Sequence, residues 1–117
     1  MSEFENFLQP GKKGYLIGIG GVSMAPLAEI LAGMGLSISG SDMQESEKVA
    51  ELRERGIRVN IGHRAENTLP EYDFVVRTAA VHDENPEIVA ARERSIPVFE
   101  RAQAWGALMR GYKNALC

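Results

Sequence analysis

At 117 residues the chain has material for one domain and too little for two with separate cores. Its 44% hydrophobic and 25% charged residues suit a globular protein, and a net charge of -3 disfavours non-specific binding to nucleic acid or anionic membranes. There is no apolar run near the roughly 20 residues that span a bilayer and no signal-peptide pattern in Met1 to Pro10; the lone Cys117 leaves no disulfide or cysteine metal site, and the cytoplasm is the expected compartment.

Ser2 to Leu8 can form a short helical turn with Ser2 as its cap, followed by a loop from Gln9 to Gly14. Tyr15 to Ile19 predicts a buried strand. It runs into a glycine turn, Gly18-Ile19-Gly20-Gly21, and then an apolar helix from Ala25 to Met34 whose inner face is Leu27, Ile30, Leu31 and Met34. Strand, glycine turn and helix in that order form the front of a phosphate-binding α/β unit. The glycines allow close backbone approach, and the helix start presents free N–H groups and a positive dipole end. A tight turn that binds nothing is the plainer alternative.

Leu36 to Gly40 predicts a second strand that delivers Ser41 and Asp42 at its end. Ser46 caps a helix from Glu47 to Arg55 with Val49 and Leu52 facing inward, closed by Gly56. Ile57 to Ile61 alternates like a strand near an edge and leads into Gly62-His63. A polar connection with a helical turn over Ala65 to Leu69 precedes a fourth strand, Phe74 to Val76, which runs into Arg77-Thr78-Ala79-Ala80. Asn85 caps a helix with Pro86 at its first position, Ile96 to Phe99 forms a fifth strand, and a last helix runs from Arg101 to a stop at Gly111. Asn114 to Cys117 then reads as the start of a further strand.

Five alternations of strand and helix predict a doubly wound, Rossmann-like parallel sheet with helices on both faces, and a ligand at the carboxyl ends of the strands. Asp42, 24 residues after Gly18, has the spacing of a ribose-binding carboxylate, or of a turn cap. Such a carboxylate opposes a 2′-phosphate. The third glycine of a dinucleotide fingerprint is replaced by Ser23, which weakens an NAD-binding reading as an oxidoreductase or redox-sensing domain. His63 could bond a ribose or base, or sit in a surface loop. Thr78 could donate to a phosphate or simply end a strand. Asn85 is as good a cap as a ligand contact, and Arg101 is either an anion contact or a solvated arginine. Trp105 and Leu108 are expected to pack the last helix on the sheet. No catalytic constellation and no lysine-bearing phosphate loop are present.

The blocks Gly18-Ile19-Gly20-Gly21-Val22-Ser23-Met24, Ser39-Gly40-Ser41-Asp42, Ile61-Gly62-His63, Asp83 to Arg92 and Ile96-Pro97-Val98 with Arg101 resemble the amino-terminal domain of the Mur ligases, over about Tyr15 to Met109. The resemblance implies binding of the UDP part of UDP-N-acetylmuramic acid. By that likeness the pyrophosphate lies over Gly18, Gly20, Gly21 and the N–H groups of Val22, Ser23 and Met24. Ser41 and Asp42 then sit near the ribose, with His63, Thr78, Ala79, Ala80, Asn85 and Arg101 completing the site. Ala79 lacks the family's hydroxyl, and Ser23 and Pro26 each replace a family glycine.

The same likeness divides the chain into an extension (1–14), the UDP-sugar domain (15–111) and the first residues of an ATP-binding domain (112–117). The whole enzyme would use ATP and Mg²⁺ to activate the muramyl carboxylate as an acyl phosphate, which the amine of L-alanine attacks. These residues alone would be inactive.

Overall fold

A computed structural model describes residues 4–116, so Ser2 and Cys117 lie outside the described residues. Five strands, β1 (Lys13–Ile17), β2 (Ser37–Asp42), β3 (Arg58–Ile61), β4 (Phe74–Arg77) and β5 (Val98–Glu100), pair in parallel in the order β3-β2-β1-β4-β5. Four helices connect and cover them: α1 (Met24–Gly33), α2 (Glu47–Glu54), α3 (Pro86–Glu93) and α4 (Arg101–Leu116). This is the expected doubly wound α/β sheet. The chain leaves β1 toward β2 on one side and returns later to β4 on the other, so the crevice lies above the β1/β4 boundary.

Alternation along the strands sends Leu16, Phe74 and Val76 to one face, where α1, α2 and α4 cover them, and Tyr15, Ile17 and Val75 to the other, under Ile88 and Ala91 of α3. Phe4, in a short 3-10 turn over Phe4–Phe7, is fully buried between Phe74 and Phe99, with ring centroids at 5.0 and 5.2 Å. The stretch before β1, expected as an extension, therefore contributes to the core from Phe4 onward.

The caps are as the sequence indicates. Ser46 Oγ accepts from the Val49 N–H at 3.1 Å, and Asn85 Oδ1 accepts from the Glu87 N–H at 2.9 Å with Pro86 following. On α1 the buried stripe is Met24, Ala25, Leu27, Ala28 and Leu31, while Ile30 and Met34 are partly exposed. The small alanines let the helix turn that side to the sheet, which rotates Ile30 outward. The other departure is at the end of the chain. The stop expected at Gly111 and the strand expected from Asn114 are both helix, since α4 continues to Leu116. A glycine inside a helix costs about 1 kcal/mol relative to alanine and does not by itself end it. Among the described residues no helix is long and apolar enough to cross a membrane.

Candidate functional site

The carboxyl ends of the strands gather the glycine turn, Ser41-Asp42, Gly62-His63, Thr78 to Ala80 and Arg101 on one edge of the sheet. The turn is fixed from below. Gly18 has φ +79°, a left-handed conformation that costs other residues strain. The N–H groups of Gly18 and Ile19 donate to the Ser41 carbonyl at 2.8 and 2.9 Å, tying the turn to β2. The Gly20 N–H donates to Asp42 Oδ2 at 2.9 Å, and Asp42 Oδ1 accepts from the Met43 N–H at 2.8 Å. Both oxygens of the expected ribose carboxylate thus brace backbone.

The Gly21 carbonyl accepts from the Met24 and Ala25 N–H groups, and Pro26 has none, so the first three residues of α1 leave no free N–H. The Met24 N–H, expected to face a phosphate, is spent in this way. The free donors are one step earlier: the N–H groups of Val22 and Ser23 have no protein partner among the described residues, and Val22 is 97% exposed. α4 stands beside them. The Arg101 guanidinium donates to Ser23 Oγ, and Trp105 Nε1 donates to the Ser23 carbonyl at 3.1 Å. Two backbone donors and a guanidinium on one exposed turn form an arrangement suited to a multiply charged anion. Trp105 and Leu108 are half-buried against the core, as expected.

Ser41 and His63 occupy a different setting from the one expected of them. Ser41 is fully buried, and its hydroxyl donates to Glu87 Oε1 at 2.6 Å. His63 Nδ1 stands 3.1 Å from the same oxygen and 3.1 Å from Ser41 Oγ. Glu87 is itself fully buried in the first turn of α3. Its Oε2 accepts from the Tyr15 hydroxyl at 2.9 Å, from Asn67 Nδ2 at 2.8 Å and from the Arg64 N–H at 3.4 Å. A buried carboxylate is tolerable only when donors replace its lost water, and here they come from β1, β2, the loop after β3 and the 3-10 turn at Ala65–Asn67. Burial, above all, pushes the Tyr15 phenol well above its ordinary value, with the Glu87 charge adding to the shift.

Sequence reading missed Glu87, because a glutamate after Asn-Pro looks like a helix-start carboxylate. The one hint was polar residues, Tyr15 and Ser41, at inward positions of central strands. Arg77 was also missed. It is nearly buried at the end of β4, donates to Asp83 and to the Val81 carbonyl, and so closes the loop carrying Thr78, Ala79 and Ala80. Thr78 is half-buried, and its hydroxyl has no protein partner among the described residues, while Ala79 and Ala80 are exposed. Asn85 Oδ1 serves its cap, as one of its two readings held.

Residues 14–113 match the model of the Mur ligase family, catalytic domain. Among curated proteins, the UDP-N-acetylmuramate–L-alanine ligase of Clostridium novyi is 48% identical over 109 residues, covering 92% of this chain and 24% of that protein. The enzyme of that name from Sinorhizobium medicae is 46% identical over 102 residues, covering 87% and 21%. The crystal structure of the UDP-N-acetylmuramate-alanine ligase of Thermotoga maritima superposes with a TM-score of 0.81 at 36% identity, over 84% of this chain and 23% of that one. The chain thus spans between a fifth and a quarter of the length of these relatives.

Proposed function

This chain belongs to the Mur ligase family, and from that we propose that it is the nucleotide-sugar-binding part of a cytoplasmic, ATP-dependent ligase that joins L-alanine to UDP-N-acetylmuramic acid in peptidoglycan synthesis. The observation that carries the reading is the pair of unpaired N–H groups on Val22 and Ser23, with Arg101 beside them at the β1/β4 crevice. A diphosphate brings the charge and acceptors that this group lacks. Gly18, Gly20 and Gly21 keep side chains away from it, and Thr78 offers a hydroxyl.

Asp42 holds the turn in place and keeps its outer lone pairs for a ribose, which favours a ligand without a 2′-phosphate. Ser41 acts from beneath the site rather than by contact. Residues 15–111, with the core contribution of Phe4, form the binding unit. The sequence has no lysine-bearing phosphate loop, and by the same likeness we assign ATP, Mg²⁺ and L-alanine to the rest of a ligase of which this chain corresponds to between a fifth and a quarter.

A thermal-shift titration tests the reading. UDP-N-acetylmuramic acid and UDP raise the unfolding midpoint of the purified chain, whereas NADH and ATP do not. Micromolar binding of NADH with none of the UDP-sugar would return the domain to the oxidoreductase class.

A further inference from the structure

We propose that Glu87 is a positioning residue for His63, holding the ring hydrogen on Nδ1 and so leaving Nε2 as the acceptor toward the ligand edge. The argument is one of hydrogen counting. Nδ1 has two near neighbours, Glu87 Oε1 and Ser41 Oγ, each at 3.1 Å. The single hydroxyl hydrogen of Ser41 is directed to Oε1 at 2.6 Å, so toward Nδ1 both neighbours offer only lone pairs. The hydrogen between them therefore sits on Nδ1.

The rest of the cluster enforces that polarity. Asn60 Nδ2 donates to the Tyr15 oxygen at 3.3 Å, which commits the phenolic hydrogen to Glu87 Oε2, and Asn67 and the Arg64 N–H fill the same oxygen. Every group around the carboxylate is a donor, and Nδ1–H is the last of them. Nε2, on the opposite edge of the ring, has no protein partner among the described residues, and the side chain is 14% exposed. His63 is half-buried two residues past the end of β3, on the ligand edge of the sheet. A neutral Nε2 there receives a hydrogen bond, so it selects a ligand that offers a hydroxyl or an N–H. The Nδ1 assignment stands alone; the ligand half rests on the nucleotide reading above.

Nitrogen NMR of the ligand-free chain reads the first half. The chain has two histidines, and His82→Gln assigns the signals. His63 is expected in the Nδ1–H form when neutral; the Nε2–H form would overturn the assignment. For the second half the probe is UDP. Glu87→Gln is expected to weaken binding about tenfold, as is His63→Ala, with the double variant no worse than His63→Ala. Equal losses from Glu87→Gln with and without His63 would show that Glu87 does not act through the histidine. UDP methylated at the base N3 and UDP lacking the ribose hydroxyls identify the donor, since one of them loses affinity in the wild type and not in His63→Ala. If neither does, Nε2 meets no ligand donor. A chain with the expected tautomer that binds no UDP at all would overturn the nucleotide reading alone.

Discussion

Replacing Gly20 by alanine tests how the anion turn is held. A Cβ at this position would lie 2.8 Å from Asp42 Oδ2 and 3.0 Å from a methyl carbon of Val49. Neither neighbour yields cheaply. The Asp42 carboxylate is anchored on two backbone N–H groups, and Val49 is fully buried with a stiff branched side chain. Relief of the contact requires the carboxylate to withdraw, which lengthens the Gly20–Asp42 bond, or the Val49 methyl to press into the core. Overpacking of this kind costs about 1–3 kcal/mol, and a weakened charge-assisted bond about 1 kcal/mol within that. We expect a loss of about 2 kcal/mol, or on the order of 8 °C in Tm for a chain of this size. Denaturant unfolding of Gly20→Ala, Asp42→Ala and the double variant provides the assay. If the carboxylate is the obstacle, the alanine at position 20 costs at least about 1 kcal/mol less once Asp42 is gone. An equal cost in both backgrounds would refute the clash, and a negligible cost in the wild type would refute the brace altogether.

Arg101→Ala is expected to lower affinity for UDP about five- to tenfold at low salt and less at high salt, with Tm unchanged, because the side chain is exposed and acts by charge; a Tm loss of several degrees would recast it as structural. Ser95 ends α3 at φ +58°, in the left-handed region, and Ser95→Gly should stabilise the fold by about 0.5–1 kcal/mol in denaturant unfolding, whereas destabilisation would contradict this view of the cap. Because the Tyr15 phenol is held above its ordinary 10.0, its contribution is complete below pH 10.0 and is lost as pH rises toward the folded value. Tyr15→Phe should therefore flatten the fall in stability above pH 10.0, and an unchanged alkaline limb would show that the phenol ionises freely in the folded state.

Much of the fold is written locally. Apolar runs of strand length, glycines after them, and the Ser46 and Asn85-Pro86 caps are short-range signals, and each leads to the element it indicates. The glycine turn was legible for the same reason: a left-handed residue at Gly18 and a close approach at Gly20 demand glycine whatever surrounds them. Strand and helix boundaries near chain ends were less so. Gly111 has the composition of a stop but no neighbouring requirement that makes it one.

The site divides along the same line. Residue types and spacing were enough to mark the turn, Asp42, His63 and Thr78 as one edge of a parallel sheet, because strand ends in an alternating α/β chain must converge. They could not assign the partners. Glu87 lies 72 residues from Tyr15, 46 from Ser41 and 24 from His63, and no local pattern reports that a first-turn glutamate will be buried. Only the folded sheet brings those donors around it, and only there does desolvation turn a routine carboxylate into the group that orients the histidine.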